Sequence, residues 1–234
     1  MEQATIRILG GGATQRLVMN LAEGFERTHG VRLDCDFGAV GGMRERVLAG
    51  EAVDLILLTD GIVDALSRSG HAIAGSKRAI GSVATSVAVP VGRRHPPLYS
   101  EGELADALRA AGEIHFPDPE RATAGIHFHG VIERLGLLPA VRGRLRVHPN
   151  GMTAMRALAD SPNGTAIGCT QTTEILATQG VEMVAELPAS AGLNTLYCGA
   201  VGSRSPDAAR AAEFLESLVA DTNIAFRHEI GFRT

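Results

Sequence analysis

Tryptophan is absent from the 234 residues, and aromatic side chains make up only 4% of them. A site built on stacked aromatic rings is therefore not expected. An excess of one charge is missing too. The net charge of −4 gives no long-range pull toward nucleic acid or an anionic membrane, so neither is expected as a partner. An anion, if one binds, must be held by local geometry. The three cysteines, Cys35, Cys169 and Cys198, are too widely spaced for a CxxC or metal pattern, and no metal or cofactor is expected. Cys35 and Cys198 sit in apolar, strand-like runs and read as core thiols. No apolar stretch reaches the ~20 residues needed to cross a membrane. Met1-Glu2-Gln3-Ala4-Thr5 has neither the basic nor the apolar region of a secretion signal. The expected location is periplasmic if an export signal has been removed, and cytoplasmic if Met1 is the native start.

What is present is ordinary globular composition, 45% hydrophobic and 21% charged, on a chain long enough for one large domain or two smaller ones. Its most distinctive stretch runs from Ile6 to Gln15. Ile6-Arg7-Ile8-Leu9 reads as a strand that empties into Gly10-Gly11-Gly12-Ala13-Thr14-Gln15, after which Leu17, Val18, Leu21 and Phe25 recur at helical spacing. The design repeats at Val31 to Phe37, followed by Gly38-Ala39-Val40-Gly41-Gly42-Met43 and a helix from Arg44 to Ala49. A strand that stops in a glycine-rich turn and restarts as a helix aims free N–H groups and the positive end of a helix dipole at one point. Two such points suggest one small anion held by both. The triple glycine exceeds what a turn needs and favours close approach by a ligand.

Val53 to Thr59 is apolar almost throughout, as in a central parallel strand, with Asp60 placed to cap the next helix, which ends at Gly70. Residues 82–91 and 195–201 are long alternating runs that bracket further strand–helix units: Glu113 to Phe116 and a helix from Ile126, Arg144 to His148 and a helix from Met152, and Thr165 to Cys169 and a helix after Thr170-Gln171-Thr172. Ser205-Pro206-Asp207 reads as a helix start with proline in the first position. The expectation is an α/β fold in two domains, residues 1–83 with 196–234 and residues 84–195.

The order of these pieces resembles the type II periplasmic binding proteins, and within them the molybdate-binding-protein-like family. The resemblance is carried by Gly12-Ala13-Thr14, Phe37-Gly38-Ala39-Val40-Gly41, Ala52-Val53-Asp54-Leu55, Asp118-Pro119-Glu120 with Thr123-Ala124-Gly125, Gly168-Cys169-Thr170-Gln171 leading to Glu174-Ile175-Leu176, and Ile230-Gly231-Phe232. It implies a two-lobed fold with a ligand cleft between two α/β domains. It also implies a solute-binding protein that acts as a monomer and delivers a small anionic ligand to a membrane transporter. Carried onto this chain, the family's ligand-bearing positions are Gly11, Gly12, Ala13, Thr14, Ala39, Val40, Gly41, Thr123, Ala124, Gly125, Met152, Thr153, Cys169, Thr170 and Gln171.

At those positions the chain departs from a molybdate pattern. Serines usual near the start of the first two helices are Ala13 and Val40 here, and the usual tyrosine is Cys169 or Thr170. Each lost charge-assisted hydrogen bond is worth ~1.5–3 kcal/mol, which argues for an organic carboxylate over molybdate. Arg44, just after Gly41-Gly42, offers a fork that matches a carboxylate; its plain alternative is a solvated pair with Glu45 or Glu51. Some members of the resembled family are isomerases of small unsaturated tricarboxylates such as aconitate. That role would make His127 and His129 the proton-transfer residues. Their alternative is one surface and one packed histidine, and a buried core thiol is the alternative for Cys169.

Overall fold

The computed structural model describes residues 4–234; Met1-Glu2-Gln3, part of the stretch read as lacking a secretion signal, lie outside them. Its elements in chain order are β1 (Thr5–Gly11), α1 (Gln15–His29), β2 (Arg32–Gly38), α2 (Val40–Leu48), β3 (Leu55–Thr59), α3 (Asp60–Arg68), β4 (Arg78–Pro90), α4 (Glu101–Ala110), β5 (Ile114–Pro117), α5 (Thr123–Arg134), α6 (Leu138–Val141), β6 (Leu145–His148), α7 (Gly151–Ala159), β7 (Ile167–Gln171), α8 (Thr172–Leu176), β8 (Val181–Glu186), β9 (Asn194–Val201), α9 (Ala208–Val219) and α10 (Ile224–Glu229). They form two compact units, Met1–Ser82 with Leu196–Thr234 and Val83–Thr195. No helix among the described residues is long and apolar enough to cross a membrane.

In the first unit β1 lies parallel between β2 and β3, with Gly11 opposite Gly38, and β9 joins antiparallel to β3. Leu55 to Leu58 are all buried, as a strand covered on both faces requires. The three parallel strands end together. A 3-10 turn, Gly12–Thr14, leads into α1 from that edge, and α2 and α3 start directly beyond β2 and β3. Tyr197, paired with Thr59, lies on the same edge.

The second unit repeats the plan. β5 lies parallel between β6 and β7, while β4 pairs antiparallel with both β7 and β8. Alternate residues of its strands serve two cores. Ile114, Phe116, Ile167 and Cys169 pack with Leu104, Leu108, Phe128 and Ile132 on one face. Ala154, Met155 and Leu158 of α7 form the other with Ala88, Ile175 and Val181. The helices α5, α7 and α8 start where β5, β6 and β7 end.

Several expected boundaries move. α2 begins at Val40, not Arg44, and α9 begins at Ala208, where the Asp207 side chain accepts the Arg210 N–H and Pro206 stays outside the helix. Asp60 is the first residue of α3 and caps nothing, because Lys77 Nζ holds its carboxylate at 2.7 Å. The half-buried strand β8 has no counterpart in the sequence reading; its mixed residues carry neither a continuous apolar run nor a clean alternation.

Candidate functional site

The helix starts divide into two kinds. Ser100 closes a capping box on α4, and Asp207 caps α9. At the strand edges the pattern differs: α1, α2 and α3 of the first unit, and α5 and α8 of the second, receive no side-chain cap. The short α6 and α10 are uncapped too, but neither follows a parallel strand. Free N–H groups and aligned dipoles are thus concentrated along each unit's strand edge, the arrangement that attracts anions. α7 is the exception on that edge, since Asn150 Oδ1 accepts the Thr153 N–H at 2.9 Å.

On the first unit's edge Gly11, Gly12, Ala13, Thr14 and Val40 are buried, and Ala39 and Gly41 are half-buried. Gly10 and Gly11 each have a packing reason of their own. A Cβ on Gly10 would stand 2.7 Å from the Phe37 ring and 2.9 Å from Thr14 Oγ1, and one on Gly11 would stand 2.8 Å from Val40 Cγ1 and 3.1 Å from Tyr197 Cε1. Both make room for the protein's own side chains. Thr14 is likewise spent internally, its hydroxyl donating to the Gly11 carbonyl at 2.9 Å. Arg44 is exposed and has no hydrogen bond or ion pair among the described residues. Of the two partners considered for it, Glu45 and Glu51, the second is held by Arg7 and Arg46 instead.

On the second unit's edge Thr123 is half-buried, and Ala124 is buried. Gly125 is pressed so closely on the chain that a Cβ would lie 2.3 Å from both the Pro117 and Asp118 carbonyl oxygens. Met152 and Thr153 are half-buried in the first turn of α7, where the Asn150 cap already takes the Thr153 N–H. Cys169 points into the apolar core, fully buried, and burial holds its thiol well above the ordinary range. Its side chain is a core thiol and no nucleophile.

Around the start of α8 the structure carries more than the residue pattern signals. Thr170 Oγ1 donates to Glu174 Oε2 at 2.5 Å, and a Cβ on Gly151 would lie 1.9 Å from the same oxygen. Burial raises the Glu174 carboxyl to about 7, against the opposing pull of its hydrogen bonds to Thr170 and the Gln171 backbone. In the same unit, three buried side-chain atoms have no hydrogen-bond partner among the described residues: Thr85 Oγ1, Gln171 Oε1 and Thr173 Oγ1. These residues are 1%, 2% and 1% exposed. Thr85 and Gln171 are register partners on β4 and β7, and the Gln171 amide donates to Thr195 Oγ1 at 3.2 Å. Sequence reading missed Thr85, Thr173 and Glu174 as site residues; only Glu174 had a signal, as a carboxylate in the first turn of a helix.

His127 and His129 sit in the second turn of α5, beyond its free N–H groups. His127 Nε2 is 2.7 Å from the Ala191 carbonyl and must donate to it, while His129 Nδ1 lies 3.7 Å from Glu133 and the ring stacks near Phe116. Both are half-buried and tethered, so neither the expected pair of bases nor the alternative of one surface and one packed histidine describes them fully. A more connected histidine pair lies elsewhere in the unit. His115 Nδ1 is 3.2 Å from His148 Nε2, and His115 Nε2 is 3.3 Å from Glu113 Oε2.

A model of the bacterial extracellular solute-binding proteins matches residues 6–233. Aconitate isomerase from Pseudomonas sp is 25% identical over 221 residues, spanning 88% of this chain and 80% of that protein. The periplasmic molybdate-binding protein of Azotobacter vinelandii has a TM-score of 0.78 and 16% identity, covering 98% of this chain and 99% of that one. The sulfate-binding protein SubI from Mycobacterium tuberculosis H37Rv has a TM-score of 0.75 and 15% identity, covering 99% and 87%. These likenesses show the fold, the α/β fold of the type II periplasmic binding proteins.

Proposed function

From a chain that belongs to the bacterial extracellular solute-binding proteins, we propose a protein that binds a small organic acid at the helix starts along its strand edges. The observation that carries this reading is the set of unpartnered buried atoms, Thr85 Oγ1, Gln171 Oε1 and Thr173 Oγ1. Each such atom costs ~1–3 kcal/mol unless something pairs with it. Two threonine hydroxyls donate well to a carboxylate. Gln171 Oε1, with its amide turned toward Thr195, calls for a donor instead. A hydroxyl or protonated carboxyl supplies one, and a fully deprotonated oxyanion does not. The absence of serine hydroxyls at Ala13 and Val40 points the same way, and Arg44, without a hydrogen bond or ion pair among the described residues, suits a carboxylate. The partner of such a protein would be a membrane transporter that accepts the ligand.

A second reading, isomerisation of a small unsaturated di- or tricarboxylic acid, is favoured by the similarity to aconitate isomerase over most of the chain. One experiment separates the two. The protein is screened by thermal shift against molybdate, sulfate, phosphate and a set of di- and tricarboxylates, and each hit is followed by NMR for conversion. A ligand at 100 times its dissociation constant adds ~2.7 kcal/mol. Stabilisation by carboxylates without conversion is the expected result for a binding protein, and conversion establishes the enzyme. Stabilisation by molybdate alone rejects both.

A further inference from the structure

Glu113, His115 and His148 form a connected chain of titratable groups that the proposed ligand contacts leave unused. Glu113 immediately precedes β5, two residues before His115, and His148 is the register partner of Pro117, two residues after it, so the three follow one alternation. Glu113 is anchored from two further sides, by Ser161 Oγ at 2.6 Å and Arg146 Nε at 3.3 Å. Those contacts and His115 keep its carboxyl below the usual range. His115 is 5% exposed, and its ring lies nearly parallel to that of His148, with 8° between the planes.

The donor inventory then fixes the protons. A carboxylate only accepts, so His115 Nε2 carries the hydrogen toward Glu113. His115 Nδ1 is left with a lone pair and accepts, so the hydrogen in the second contact belongs to His148 Nε2. His148 Nδ1 is consequently bare, and it has no hydrogen bond among the described residues. Burial and the neighbouring His115 both hold His148 below the ordinary histidine range, and Arg146 adds to the resistance of His115 to charging. The bare nitrogen sits on the last residue of β6, three residues before α7 begins on the strand edge.

We propose that Glu113 and His115 are positioning residues that present His148 Nδ1, unprotonated, as a proton acceptor for an acid bound at the second unit's strand edge. This rests on the organic-acid reading. Under the isomerase reading the step is a proton shift. His148 Nδ1 takes a proton from a carbon adjacent to a carboxylate, and the C–H electron pair moves into the conjugated acid. The imidazolium returns the proton to the carbon two positions away, which relocates the double bond with no oxidant or reductant.

The test combines side-chain 15N NMR with conversion of trans-aconitate as the probe. In the wild-type protein His148 is expected in the Nε2–H form, and His115→Gln is expected to release it to a mixture of tautomers. If trans-aconitate is converted, His148→Gln should slow conversion at least 100-fold with less than a threefold change in binding, and Glu113→Gln should move the pH profile. Conversion retained in His148→Gln, or lost only in His127→Gln, overturns the assignment of the base. If the probe is not converted, the isomerase reading fails alone, and the NMR decides the rest. The Nε2–H form in the wild-type protein upholds the acceptor, and an Nδ1–H form overturns it.

Discussion

The two units are built on one plan and have finished their strand edges differently. In the first, three uncapped helices start beside glycines filled by Phe37, Val40 and Tyr197, and the hydroxyl nearest the edge, on Thr14, is tied to its own turn. What that edge offers is backbone N–H, with Arg44, which has no hydrogen bond or ion pair among the described residues, in the second turn of α2. In the second, the edge is stocked with side-chain chemistry: a carboxyl poised near neutrality at Glu174, unpartnered hydroxyls on Thr85 and Thr173, and the relay ending at His148. On the proposed reading the first edge would attract small anions in general, and the second would tell one acid from another, because unpaired buried polar groups penalise a ligand that fails to match them.

The largest test of this contrast is pH. Glu174 titrates at about 7 in the folded protein, and an unfolded glutamate does so near 4.3. The folded state therefore holds the proton more tightly. The stability this contributes is complete below about pH 4.3 and is lost as pH rises through about 7, a change of roughly 4 kcal/mol. Denaturant melts across that range should show the slope in the wild-type protein and a flattened one in Glu174→Gln. Equal slopes would return Glu174 to the ranks of ordinary carboxylates.

Glycine substitutions come next. Gly125 abuts two backbone carbonyl oxygens, which cannot turn away, whereas Gly11 abuts the side chains of Val40 and Tyr197. Gly125→Ala should cost about 3 kcal/mol and Gly11→Ala about 1–2, read as shifts in melting midpoint. The reverse order would show that the second unit's loop yields more readily than its geometry indicates.

Thr85→Val separates folding from binding. Removing an unpaired buried hydroxyl should leave the free protein as stable as before or about 1 kcal/mol more so. Binding of the best carboxylate found by thermal shift should weaken about tenfold by calorimetry. Unchanged affinity would take Thr85 out of the site.

The smallest effect belongs to the first edge. Ala39→Asp gives α2 the cap it lacks and should raise stability by about 0.5–1 kcal/mol. The new carboxylate would occupy the N–H groups meant for an anion, so ligand affinity should fall by calorimetry. Affinity that holds would mean that α2 does not face the ligand.

The sequence by itself determined the alternation of strand, turn and helix around the glycine-rich stretches, and with it the α/β fold. Periodicity, turn chemistry and helix starts act over a few residues and can be read without knowing the rest. It also singled out Thr170 and Gln171, one bonded to the buried Glu174 and the other carrying an unpartnered oxygen among the described residues. It could not tell which polar groups were already spoken for. Thr14 and Thr85 are the same residue type, yet one hydroxyl has its acceptor three residues away and the other is stranded opposite Gln171, 86 positions further along. The glycines at 10 and 11 suggested a ligand, but Phe37 and Tyr197 fill that space. The elevated Glu174 and the Glu113–His115–His148 chain were decided by tertiary structure alone. Burial and hydrogen-bond partners set a proton's position, and both come from residues that only folding brings together.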